Sequence, residues 1–138
     1  MQFSYDIQGG DFSSAGKASS EVKKTLKQFN IEPRLVRQIA IASYEAEVNV
    51  VAHAYRGVMS VDLTPERIKI ILEDEGPGIP NIEKAMEEGF STASDEVRQM
   101  GFGAGMGLPN IKRNTDEMML TSTIGVGTTL VMTVNFNR

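Results

Sequence analysis

Arg67-Ile68-Lys69-Ile70-Ile71-Leu72-Glu73-Asp74-Glu75-Gly76-Pro77-Gly78 runs from an apolar stretch straight into two acidic residues and a Gly-Pro-Gly turn. Residues 58–63 read as a strand before it, and Thr64-Pro65-Glu66 joins the two as a hairpin. A carboxylate at the buried end of such a strand, here Asp74, can accept a hydrogen bond from an exocyclic amine such as adenine's. Gly76 and Gly78, before Ile79, let the backbone approach a flat ring closely. A plain tight turn uses the same residue types.

On the N-terminal side, residues 2–8 alternate apolar and polar and read as a strand. Gly9-Gly10 and Ser13-Ser14 break the chain, and residues 16–29 carry Ala18, Val22, Leu26 and Phe29 at helical spacing. Pro33 suits a first helical turn, and the pattern then runs from Arg34 to Arg56, where Gly57 stops it. At about 100° per residue, Val36, Ile39, Ala40, Ser43, Val50, Val51 and Ala54 share one face. Glu45, Asn49 and His53 fall together on the other side, among Ala42, Ala46 and Ala52. An amide oxygen such as that of Asn49 can ligate Mg²⁺, which prefers oxygen. A carboxylate one turn away, Glu45, can take a proton from an attacking hydroxyl or orient it. The same spacing also describes a solvated polar stripe. Glu47 falls on the apolar face, and the helical pattern offers no reason for it.

On the C-terminal side, a short helix is expected near 81–88, followed by a Gly-, Ser- and Thr-rich loop over 89–107. The loop ends in Gly101-Phe102-Gly103-Ala104-Gly105-Met106-Gly107-Leu108, and helical spacing resumes over 108–115. Glycine at every second position costs conformational entropy, while glycine amides leading into a helix make an anion site. The run is neither a dinucleotide fingerprint nor a Walker A loop, because its spacing differs and no Gly-Lys-Ser/Thr follows. A flexible linker is the alternative. Strands close the chain at 117–123 and 128–136. Gly125-Val126-Gly127-Thr128-Thr129 between them is a hairpin turn, where the Thr128 hydroxyl can also bind a water or a ring nitrogen. The order of elements suits an α+β two-layer sandwich with helices on one sheet face.

Composition narrows the function. The 138 residues suit one domain, and 41% hydrophobic content is enough for a core. A net charge of -4 argues against a nucleic-acid or anionic-membrane binder. The absence of cysteine removes disulfides, thiol catalysis and cysteine-ligated metals, and the single histidine removes a histidine-rich metal site. No apolar run approaches ~18 residues, and the first residues lack the character of a signal peptide. The expectation is a cytoplasmic protein.

Taken in order, these motifs resemble the GHKL superfamily of nucleotide-binding domains. Glu45 to His53 is similar to that family's N box, and Asp74-Glu75-Gly76-Pro77-Gly78 to its first glycine box. Gly103-Ala104-Gly105-Met106-Gly107-Leu108 is similar to the second, and Gly127-Thr128 to the last adenine-site motif. Within the superfamily the small size resembles the anti-sigma regulatory serine kinases. Glu87-Glu88-Gly89-Phe90-Ser91-Thr92 and Gly105 to Arg113 resemble the stressosome-switch branch.

The resemblance implies a single Bergerat-type ATP-binding domain over 1–138, a mixed sheet covered on one face by helices, and a lid at about 82–107 that is mobile without ligand. It implies ATP or ADP and Mg²⁺ as ligands, with Asn49 holding Mg²⁺ and Glu45 acting on an incoming serine hydroxyl. Asp74 would bind the adenine amine with a water near Thr128, and Gly76, Gly78 and Ile79 would form the adenine wall. Gly103, Gly105, Met106, Gly107 and Leu108 would cradle the phosphates, with Arg98 a candidate for the γ-phosphate. The implied activity is a regulatory serine/threonine kinase that phosphorylates a STAS-domain partner. The alternative is a nucleotide-gated module that sequesters a sigma factor or activates a phosphatase without phosphotransfer. The resemblance also leaves room for a homodimer.

Overall fold

Period-two alternation gives every strand one apolar face, and the sheet is built to put those faces in line. The computed structural model describes residues 1–87 and 107–136. Its strands are β1 (Gln2–Gln8), β2 (Arg56–Leu63), β3 (Arg67–Glu75), β4 (Glu117–Thr123) and β5 (Gly127–Asn135). They form one sheet in the order β1-β2-β3-β5-β4. The register sets Phe3, Val61, Ile70, Met132 and Met118 side by side, and Tyr5, Met59, Leu72, Leu130 and Leu120 in the next row. A one-residue slip in any strand would turn its apolar set outward. The row beyond starts with Ile7 and Gly57 but continues with Asp74, and Thr128 and Ser122 pair on the two strands beyond it. The core face of the sheet therefore ends in a polar margin.

The expected mixed sheet is instead antiparallel in all four of its pairings among the described residues. Two helices lie between β1 and β2: α1 (Lys17–Gln28) and α2 (Pro33–His53). Residues 29–32 join them as a tight helical hairpin. A down-and-up excursion returns the chain to the end of the sheet it left, so β2 runs back against β1. The other neighbours in chain order, β2–β3 and β4–β5, are hairpins.

Helix α2 is buried on several sides: Leu35, Val36, Ile39, Ala42, Ser43, Ala46, Glu47, Val48, Val50 and Val51 are all covered. It packs against α1, the sheet and a later helix, α4 (Gly107–Arg113), which follows the short α3 (Ile82–Ala85). Helix α2 stops at His53, three residues before the expected end, and Arg56 opens β2. Tyr55 leaves the helix to donate its N–H to the Glu75 carbonyl at 2.8 Å. Phe29, expected on the α1 apolar face, caps that helix and is 52% exposed.

The structure also explains Glu47, which is 2% exposed. Its carboxylate accepts the backbone N–H groups of Gly16 at 2.9 Å, Ala18 at 3.3 Å and Ser19 at 2.9 Å. The N-cap position of α1 is Gly16, which has no side chain to cap the helix. Glu47 supplies the missing acceptor from the neighbouring helix, where the α1 dipole also favours negative charge. No helix among the described residues is long and apolar enough to cross a membrane.

Candidate active site

The polar margin of the sheet and the polar side of α2 meet at the same end of the molecule. Asp74 follows Ile70 and Leu72 in alternation, so its side chain leaves the core face of β3. Burial raises its carboxyl above the usual carboxylate range, and a hydrogen bond from the Thr128 N–H acts against that shift. This N–H reaches Oδ1 at 3.0 Å. Gly57 lies beside Asp74 on β2. A Cβ at position 57 would stand 3.3 Å from the Asp74 Cβ and 3.0 Å from Val50 Cγ1, so the bare glycine keeps open the floor between β3 and α2. From sequence, Gly57 reads only as a helix stop.

The glycine box folds over this margin. Gly78 takes φ 80°, and a Cβ there would lie 2.7 Å from the Thr123 carbonyl oxygen, so side-chain-bearing residues are excluded twice over. Gly76 packs against Ala54, where a Cβ would come within 3.0 Å of the Ala54 Cα. Ile79 donates its N–H to Ser122 Oγ at 2.7 Å. A Cβ at Gly127 would lie 2.0 Å from the Asp74 carbonyl oxygen, so the start of β5 is pressed against the end of β3. Ser122 also lies 2.9 Å from Thr128 Oγ1. Ser122 is not among the candidates from sequence. Its signal is its place in β4, opposite Thr128, which only the register shows.

The second half of the site forms where α4 abuts α2. A Cβ at Gly107 would stand 3.3 Å from Asn49 Oδ1 and 3.4 Å from Glu45 Oε2. The first residue of α4 is therefore seated on the two N-box side chains. Burial raises the Glu45 carboxyl above its ordinary range, and a side-chain hydrogen bond from Asn110 opposes the shift. Asn110 in turn accepts Arg113 Nη1 at 2.9 Å. An arginine can only donate, so the Asn110 oxygen faces Arg113 and its NH₂ is turned to Glu45. Asn110 is a further site neighbour that carries no role in the sequence reading. Leu108 points inward and is buried in the core under α4. His53 closes α2, and burial lowers its pKa.

The structure thus brings together Glu45, Asn49 and Gly107 at one pole, and Asp74, Gly76, Gly78, Ile79 and Thr128 at the other. Val50 links the poles, following Asn49 on α2 and meeting the floor beside Asp74. Gly103, Gly105, Met106, Arg98 and most of the lid expected at about 82–107, its residues 88–106, lie outside the described residues. Among the described residues no cluster of three or more His, Asp or Glu side chains could cage a metal. The donors present, one amide oxygen and one carboxylate, fit a hard divalent cation that arrives with phosphate oxygens and keeps part of its water shell.

Residues 11–134 match the family model described as the Histidine kinase-like ATPase domain. The chain belongs to this family. Among its relatives is the serine/threonine-protein kinase RsbT of Bacillus subtilis, 41% identical over 95 residues, which are 66% of this chain and 65% of that protein. The chain therefore spans just under two thirds of RsbT in that match. An anti-sigma F factor of Caldanaerobacter subterraneus subsp. tengcongensis is 35% identical over 108 residues, covering 75% of this chain and 72% of the relative. Two solved structures share the fold. The RsbU and RsbW domains of Rv1364c from Mycobacterium tuberculosis align with a TM-score of 0.68 at 14% identity, over 100% of this chain and 33% of that one. The mycobacterial sensor histidine kinase MprB aligns with a TM-score of 0.57 at 15% identity, over 98% and 97%. The α+β sandwich expected from sequence is the fold of this family.

Proposed function

We propose that the protein is an ATP-dependent serine/threonine kinase acting as a regulatory switch on a STAS-domain partner. The observation that carries the reading is the seating of Gly107, the end of the glycine run, directly on Glu45 and Asn49. A phosphate held by that run would lie beside both a metal ligand and a proton acceptor. Phosphoryl transfer needs this placement and charge neutralisation more than covalent help.

In this reading Asp74 accepts the adenine amine, with Thr128 and a water beside it, while Gly76, Gly78 and Ile79 form the ring's wall. Gly103, Gly105, Met106, Gly107 and Leu108 belong to the segment around the phosphates. Asn49 would hold Mg²⁺, which would supply charge neutralisation to the phosphates. The serine oxygen bonds to the γ-phosphorus, the bond from that phosphorus to the β–γ bridging oxygen breaks, and ADP leaves. Glu45 takes the serine proton, and its raised carboxyl is better matched to that task than an exposed glutamate.

The second reading, a nucleotide-gated module that sequesters a sigma factor or activates a phosphatase, is favoured by relatives named anti-sigma F factors. A cytoplasmic setting, a homodimer and the absence of nucleic-acid or membrane partners belong to the same proposal. The test uses Mg²⁺ and ATP labelled at the γ-phosphate with a STAS-domain protein from the same genome. Label should move to the partner with wild type and stay in ATP with Glu45→Gln, while both proteins bind ATP alike. Equal transfer by Glu45→Gln would remove Glu45 from the chemistry. A stable partner complex with no transfer by wild type would favour the second reading.

A further inference from the structure

Ser122 carries more hydrogen bonds than a turn requires. Its hydroxyl accepts the Ile79 N–H at 2.7 Å, donates toward the Gly127 carbonyl at 3.2 Å and pairs with Thr128 Oγ1 at 2.9 Å. A serine hydroxyl has one proton and two lone pairs. Ile79 takes one lone pair. A carbonyl only accepts, so Gly127 takes the proton. In the arrangement that satisfies all three contacts at once, the remaining lone pair faces Thr128, and Thr128 is the donor of that pair. The Thr128 proton is therefore turned toward Ser122, and the threonine oxygen is left to accept from the pocket. Beside it stands Asp74, whose Oδ1 is bound by the Thr128 N–H.

Asp74 and Thr128 together thus present acceptors at the end of the sheet. A 6-amino group carries two N–H donors and suits them. A 6-oxo group carries none and sets oxygen against oxygen. We infer that Ser122 is a specificity-determining positioning residue, which fixes Thr128 as an acceptor and so makes the pocket select 6-aminopurine over 6-oxopurine nucleotides. This deepens the proposed function and rests on its reading of the pocket as a purine site. Ser122 acts through Thr128 and does not itself touch the base.

The experiment is calorimetric titration of the full chain with ADP and with IDP, which differ at the purine 6-position and in the proton on N1. Wild type should prefer ADP by on the order of 100-fold. Ser122→Ala frees the Thr128 hydroxyl to turn its proton toward a 6-oxo oxygen, and the preference should fall about tenfold. Ser122→Cys fills similar space with a weak hydrogen-bonding group. It should lower the preference as well, and it carries the test if the alanine variant does not fold. Uniform weakening of both nucleotides at an unchanged ratio would show that Ser122 only props the Ile79 turn, and would overturn the inference. Equal binding of ADP and IDP by wild type would overturn it while leaving the nucleotide site standing. Binding of neither by folded wild type would overturn the purine site and the inference together.

Discussion

The two poles of the site are built by different means. At the Asp74 pole, three strands converge, and backbone groups set the geometry: the Thr128 N–H on Asp74, the Ile79 N–H on Ser122, and the Gly127 backbone against the Asp74 carbonyl. At the Glu45 pole, two helices meet through side-chain tips, Asn49 and Glu45 against Gly107 and Asn110. A sheet margin of this kind is preorganised, because moving one partner means moving a strand. A helix–helix contact can adjust by rotamers and small shifts. Recognition of a rigid base suits the first construction, and accommodation of phosphates, metal and an incoming hydroxyl suits the second.

Methyl groups added at the two poles should separate them. Gly127→Ala places a Cβ where backbone already stands, so it should cost about 3 kcal/mol or prevent folding, as read by urea unfolding. A cost under about 1 kcal/mol would show that the sheet margin yields easily. Glu47→Ala should come next, at about 2–3 kcal/mol, because three N–H groups at the start of α1 lose their acceptor. It lies on the side of α2 away from the site, so ATP affinity of the folded fraction should change little. Gly107→Ala meets only side-chain ends and adds a better helix former, so stability should move by less than about 1 kcal/mol. Affinity for Mg²⁺-ATP should nonetheless drop about tenfold while adenosine affinity holds. A parallel loss of adenosine binding would mean that the poles are not separable.

The smallest effect concerns acid. Burial lowers the His53 pKa below its ordinary 6.5. Below that value the unfolded chain binds the proton more readily than the folded one. Stability is therefore retained above pH 6.5 and lost as pH falls through the depressed folded value. His53→Gln should flatten that acid limb in thermal unfolding between neutral pH and about pH 5, and an unchanged limb would assign the acid loss elsewhere.

Local pattern carried much of the fold and some of the site. The alternation in 2–8 and the helical spacing of α1 and α2 were readable because each depends on neighbours within a few residues. Asp74 was readable because a carboxylate ending an apolar strand is conspicuous. Ser122 was not, since its partner Ile79 is 43 residues away and only the β4–β5 register puts Thr128 opposite. Glu47 was visible as an oddity on an apolar face but not as a cap, because the helix it caps lies 28 to 31 residues earlier. The antiparallel sheet depended on the helical hairpin between β1 and β2, which spacing alone does not orient. Asn110 needed the docking of α4 on α2 to become a partner of Glu45.

The most direct test is nucleotide binding to wild type and Asp74→Asn, measured by calorimetry with ADP and ATP, with and without Mg²⁺. Burial raises the Asp74 carboxyl, so its charge opposes folding at neutral pH. Stability from its neutral form is present at acid pH and lost as pH rises through the folded value. An asparagine oxygen in its place can still accept the Thr128 N–H, so the variant should melt at or above the wild-type temperature. Wild type should bind both nucleotides, ATP more tightly with Mg²⁺, and the folded variant should bind neither. Nucleotide affinity in Asp74→Asn equal to that of wild type would contradict the assignment of Asp74 as the base-recognising carboxylate, and with it the site as a purine pocket.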